Sequence, residues 1–125
     1  MSDEGVPAGL AEIAEVTDTT FGEIVLRTAG PALVEFWAPW AASALPVGDD
    51  LLREAAAVCP GVRLLRLNVE DNPMAATVYG VHSVPLCVLF RGEQELDRWE
   101  GALEPARLLE RLRAACGEGA AGDAR

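Results

Sequence analysis

The stretch Ala32-Leu33-Val34-Glu35-Phe36-Trp37-Ala38-Pro39-Trp40-Ala41-Ala42-Ser43-Ala44 decides the fold. Its first six residues are apolar except for one carboxylate, and so short and apolar a run reads as a strand covered on both faces. Gly30-Pro31 breaks whatever precedes it, and Pro39 closes it. Glu35 in the middle of such a strand calls for a charge or hydrogen-bond partner, because an unpaired buried carboxylate is far costlier than an exposed one.

Working outward, Leu10 to Val16 alternates apolar and polar residues as a half-buried edge strand does. Thr20 with Glu23 three residues later predicts a capping box, followed by Phe21, Ile24, Val25 and Thr28 at helical spacing. Downstream, Pro46 fits the first turn of a second helix whose apolar face continues through Leu51, Leu52, Ala55 and Val58 until Pro60-Gly61 ends it. Val62 to Val69 reads as another buried strand. Asn72-Pro73 then supplies an N-cap and a proline at the first helical position for a short helix to Tyr79-Gly80. Pro85 to Phe90, a turn at Arg91-Gly92-Glu93 and Gln94 to Trp99 form a hairpin, and Leu108, Leu109, Leu112, Ala115 and Cys116 share one stripe of a final helix.

The expected order is strand, helix, strand, helix, strand, helix, hairpin, helix: an α/β domain with a mixed sheet of about five strands flanked by about four helices. It should occupy residues 10–116, between a flexible leader (1–9) and a small, polar, disordered tail (117–125).

At 125 residues the chain is long enough for one core and too short for two. Twenty acidic residues against ten arginines give a net charge of −10, which repels nucleic-acid phosphates and anionic membranes. No apolar run approaches a membrane span and the acidic start shows no signal peptide, so the expected setting is the cytoplasm. The three cysteines, Cys59, Cys87 and Cys116, are odd in number and widely spaced, which predicts free thiols rather than a disulfide framework or a zinc site. No cofactor or metal is expected. The Gly117-x-Gly119-x-x-Gly122 pattern follows a helix and ends the chain, so it is a chance match to a dinucleotide fingerprint.

Val34-Glu35-Phe36-Trp37-Ala38-Pro39-Trp40 resembles the thioredoxin family, in which such a strand leads into Trp-Cys-Gly-Pro-Cys. Arg66-Leu67-Asn68-Val69-Glu70-Asp71-Asn72-Pro73, Tyr79-Gly80-Val81-His82-Ser83-Val84-Pro85 and Gly101-Ala102-Leu103 extend the resemblance at matching spacings over nearly the whole domain. It implies the thioredoxin fold, an antiparallel final hairpin and a cis proline at Pro85. By the same match Ala41 and Ala44 stand at the two cysteine positions, with Ala42 and Ser43 between them and Leu45 where lysine is common. A methyl group neither attacks a disulfide nor resolves one.

The resulting expectation is a redox-inactive, non-enzymatic, chaperone-like module. It would hold a protein or an extended peptide in the groove that the resemblance places at Trp40, Ser83, Val84 and Pro85. The alternative is a thiol–disulfide oxidoreductase family member with natural or engineered loss of its motif cysteines, or with residual monothiol activity through Cys87. Glu35 takes the position of the family's buried carboxylate and Arg66 that of a nearby lysine, so the two are expected to form a buried ion pair. Ser43 and His82 lack an acid to orient the imidazole, so hydrolase chemistry is not expected. Cys59 lies about 22 Å from Ala44 along a helix, too far to replace the missing attacker. Strand alternation makes Cys87 a small buried hydrophobe, and Cys116 is read as packing or as an inert thiol.

Overall fold

The computed structural model describes residues 13–41, 49–101 and 104–124, with the side chains of 49–52 and 117–124 left aside. The sequence readings at Leu10 to Glu12, Ala42 to Pro46, Ala102 and Leu103 lie outside the described residues, as does the leader.

Five strands form one sheet in the order β1-β3-β2-β4-β5. They are β1 (Ala14–Val16), β2 (Pro31–Trp37), β3 (Arg63–Asn68), β4 (Leu86–Arg91) and β5 (Gln94–Glu100). The central place of β2 fits its burial on both faces, with six of its seven residues buried. It pairs in parallel with β3, with Glu35 opposite Arg66, and antiparallel with β4, with Glu35 opposite Cys87. The β4–β5 hairpin turns through Gly92, whose φ of 61° is open to glycine and strained for other residues.

The two faces carry separate cores. On one, Leu33, Leu64, Cys87 and Leu89 of the sheet pack against Ala55 and Cys59 of the α1 region (α1, Asp49–Val58) and Leu108, Leu112 and Cys116 of α3 (Pro105–Ala124). On the other, Ala32, Val34, Phe36, Leu65, Leu67, Leu86, Val88 and Phe90 pack against Phe21, Val25 and Ala75. Strand alternation sends Leu86 and Cys87 to opposite cores, as their neighbours confirm. The second core is closed by Phe21, Tyr79 and Phe90, with Phe90 edge-on to both of the others at 5.7 and 5.3 Å.

Three local readings differ from the structure. The first helix is a single π-helical turn, Gly22–Leu26, and no side chain caps it at the position expected from Thr20 and Glu23. Thr20 is engaged one turn earlier: Thr17 N–H donates to Thr20 Oγ1 at 2.9 Å and Thr20 N–H donates to Thr17 Oγ1 at 3.2 Å. This reciprocal pair satisfies both termini of the turn, so Thr17 and not Thr20 opens it. Second, α2 (Pro73–Val78) has Asn72 at its N-cap, but the Asn72 side chain makes no cap bond. Asp18 takes that role from across the fold, accepting from Met74 N–H at 3.0 Å and Ala75 N–H at 2.8 Å, while Asn72 Oδ1 accepts from Asp18 N–H at 2.9 Å. A carboxylate accepts these donors more strongly than an amide does. Third, α3 continues to Ala124, so the backbone of 117–124 is helical where a disordered tail was expected.

Candidate functional site

Three places carry polar, aromatic or sulfur chemistry. At the C-terminal end of β2, Ala38 is buried and Trp40 is 69% exposed. Trp40 Nε1–H donates to Glu70, and Ala41 N–H closes a turn onto Ala38 C=O at 3.0 Å. The adjoining Val84-Pro85 peptide is cis. Val84 and Pro85 are half-buried and Ser83 is exposed, as is His82. Gly101 N–H donates to Pro85 C=O at 2.8 Å and ties the end of β5 to this segment. Ala41, the first of the two positions that the resemblance assigns to family cysteines, has no sulfur, and Ala44 lies outside the described residues.

One turn deeper in the sheet, Glu35 is fully buried and Arg66 Nε–H donates to its Oε1 at 3.0 Å. The parallel register that sets Glu35 beside Arg66 makes this contact geometrically direct. Arg66 also lies over the Trp37 ring, 4.2 Å from its centroid, and 3.9 Å from Glu15 on β1. The guanidinium therefore joins three strands, which a lysine could do only as a point charge. Cys87 faces Glu35 across the β2–β4 ladder. Burial first and the Glu35 charge second push its thiol far above the ordinary range, so Cys87 is held neutral and weakly nucleophilic.

The third place is at the C-terminal end of α1. Cys59 and Cys116 form a disulfide, with their Cα atoms 5.5 Å apart and a sequence separation of 57. Cys59 N–H donates to Ala55 C=O at 2.9 Å and Val62 N–H to Cys59 C=O at 3.0 Å, so this cysteine terminates α1 in a fixed turn. Cys116 sits on α3, which is pinned to β5 by a two-pronged contact from Arg111 to Asp97 at 2.7 and 3.0 Å. Arg111 also covers Trp99 at 4.9 Å.

The disulfide corrects the expectation of three free thiols. Wide spacing along the chain was taken to keep these cysteines apart, but Ala55 and Cys59 share one face of the α1 segment while Leu108, Leu112 and Cys116 share one face of α3. Two helices lying on the same side of a sheet bring those faces together. The i, i+4 phase of both cysteines with buried neighbours was the available signal. Asp18 was missed for a different reason, since nothing local marks it as the cap of a helix 56 residues away. Among the described residues no His, Cys, Asp and Glu cluster could hold a metal ion, and no helix is long and apolar enough to cross a membrane.

Comparison with known proteins fits this architecture. The thioredoxin family model matches residues 12–114. Thioredoxin 1 of Nostoc sp. is 33% identical over 106 residues, covering 82% of this chain and 96% of that protein. Thioredoxin 1 of Synechococcus elongatus is 34% identical over 102 residues, covering 79% and 92%. The chloroplastic M-type thioredoxin of Pisum sativum is 33% identical over 104 residues, covering 81% and 59%. These relatives and the Cys59–Cys116 bond together overturn the expectation of a redox-inactive, non-enzymatic, chaperone-like module.

Proposed function

The chain belongs to the thioredoxin family, and we propose that it is a thiol–disulfide oxidoreductase of polypeptide substrates whose redox couple is Cys59 and Cys116. The observation that carries this is the disulfide joining α1 to α3. Exchange requires two sulfurs that can be joined and separated within one scaffold, and this pair meets that requirement where Ala41 does not. Cys87 does not, because it is a single thiol with no sulfur bonded to it and is held protonated.

The polypeptide is recognised at Trp40, Ser83, Val84 and Pro85. Trp40 presents an apolar plate 69% exposed and fixed by its bond to Glu70. Val84 offers a backbone edge on which an extended segment adds as a strand. The couple lies at the C-terminal end of α1, apart from the groove residues, which stand at the Trp37 end of β2 and the Leu86 end of β4. The cytoplasm is a setting in which such a bond is a working intermediate rather than a permanent staple.

The test is reduction of insulin disulfides by the reduced protein, followed as turbidity, for wild type, Cys59→Ser, Cys116→Ser and Cys87→Ser. Turnover by wild type and Cys87→Ser, lost in the other two, is the expected pattern. A wild-type protein without turnover, or a Cys116→Ser variant that keeps it, refutes the proposal.

A further inference from the structure

Resting on the recognition surface proposed above, we infer that this protein selects polypeptides whose extended segment alternates apolar with basic side chains, and that Glu70 and Glu100 set the preference. The surface has an apolar floor and an acidic rim. Trp40 and the cis Val84-Pro85 peptide supply the floor. Glu70 stands at the Trp40 side, where its carboxylate accepts the indole N–H. Glu100 stands beside the Pro85 segment: it is opposite Leu86 in the β4–β5 ladder, and the next residue, Gly101, donates its N–H to Pro85 C=O at 2.8 Å. Both glutamates are exposed.

Nothing among the described residues cancels this charge locally. The indole that holds Glu70 is neutral, and Asp71 beside it adds a second carboxylate. The segments 38–41, 69–72, 79–85 and 100–101 contain Glu70, Asp71, Glu100 and His82 but no arginine. Arg98 stands two residues before Glu100 on β5, yet it is already engaged by Glu95 at 2.8 and 3.1 Å and by Tyr79 C=O at 2.8 Å. The Glu95 bond raises the Arg98 pKa most, and the charges of Glu95 and Glu100 add to it. Glu95, Arg98 and Glu100 together therefore leave a net negative charge beside the groove.

An added strand turns alternate side chains to opposite sides. A segment seated on the Val84 edge lays every second side chain on the apolar floor and directs the intervening ones to the rim. Basic side chains there are attracted to Glu70 and Glu100, and acidic ones are repelled. Each exposed pair contributes about fivefold or less in affinity, so the two together favour a basic segment by about tenfold. The net charge of −10 also draws in a cationic chain from a distance, but that pull belongs to the whole surface. Only the short-range part depends on these two carboxylates, and removing their charge separates the two effects.

Short dye-labelled peptides in which valine alternates with arginine, glutamine or glutamate are titrated with oxidised wild-type protein, with Trp40→Ala and with the double variant Glu70→Gln, Glu100→Gln, and binding is followed by fluorescence anisotropy. The peptides lack cysteine, so binding is read apart from exchange, and glutamine keeps an acceptor for the Trp40 indole. The arginine peptide is expected to bind wild type about tenfold more tightly than the glutamine peptide, and the glutamate peptide most weakly. The double variant should bring the arginine preference to about twofold or less, as should 1 M salt, where the screening length falls to about 3 Å. Trp40→Ala should weaken the arginine and glutamine peptides alike. An arginine preference that survives in the double variant belongs to the net charge and overturns the inference. Equal binding of the three peptides, lost in Trp40→Ala, overturns it too and leaves the groove standing. Binding indifferent to Trp40→Ala, or no binding of any peptide, overturns the groove and the inference with it.

Discussion

Reducing the Cys59–Cys116 bond should cost the fold about as much as the fold contributes to keeping the bond closed, and both sides of that equality are measurable. The bond spans 57 residues, and cross-linking a loop of that length removes roughly 4 kcal/mol of chain entropy from the unfolded state. Urea unfolding of the oxidised and reduced protein, with no mutation to leave a cavity, should differ by about that amount. The same thermodynamic cycle requires the native disulfide to be more stable than the same bond in the unfolded chain. At about 30 mV per 1.4 kcal/mol for a two-electron couple, the native reduction potential should lie roughly 90 mV below that of the chain in concentrated urea. Equilibration with dithiothreitol buffers in the presence and absence of urea gives that second number. A stability difference under about 1 kcal/mol, or two numbers that fail to close the cycle, would refute the reasoning, because the cross-link would then not be made in the native packing of α1 on α3.

Other outcomes follow from particular contacts. Asp18→Ala removes the acceptor for Met74 and Ala75 N–H and should lower stability by about 1 to 2 kcal/mol in urea, whereas an unchanged midpoint would mean that α2 is capped by something else. The Arg111 hydrogen bond holds the Asp97 carboxyl below its ordinary value of 3.8. The pair's contribution is therefore fully present above that value and disappears as pH falls through the lowered one. Asp97→Asn should cost about 1 kcal/mol at pH 7, with the difference from wild type shrinking in acid, and a pH-independent difference would exclude the ionic origin. Arg66→Met strips a guanidinium from a fully buried Glu35 and should destabilise by about 3 kcal/mol, and the double variant with Glu35→Leu should recover much of it; no recovery would show that packing rather than charge is lost. Cys87, enclosed and held neutral, should resist thiol reagents in the native state and react only on unfolding, so labelling of native protein at the rate of an exposed thiol would contradict its place in the core.

The parts of the molecule that were legible in sequence share a local physical signature. The β2 strand announced itself by apolar residues on both faces; that Glu35 needs a partner followed from its burial, but Arg66 was named only through the family resemblance, and the register that pairs them is a structural fact. Cys87 was placed correctly because a period of two fixes which core a strand residue enters. What could not be read depended on which elements meet. Thr17 and Thr20 satisfy one another although Thr20 and Glu23 match the capping pattern equally well, because the turn begins directly after β1. Asp18 reaches α2 only once that turn is packed on the sheet, and Cys59 finds Cys116 only once two helices separated by β3, α2 and a hairpin share a face.

The position of the sulfur changes what the rest of the old site can contribute. Glu35 and Arg66 occupy the core near the Trp37 end of β2, and Cys87 is the thiol placed across the ladder from that carboxylate. A carboxylate next to a thiol disfavours the thiolate, so this pairing suppresses reactivity in the centre of the sheet. At the far end of α1, the disulfide is enclosed among apolar residues with Arg113 one turn from Cys116. For the exchange proposed above, both sulfurs are buried, so local opening of α3 over β5 should raise access to them. If the Arg111 to Asp97 contact that pins α3 limits that opening, Asp97→Asn should accelerate reduction of the Cys59–Cys116 bond by glutathione while lowering the unfolding midpoint. An exchange rate unchanged by that substitution would mean that the thiolate reaches Cys116 without any movement of the helix.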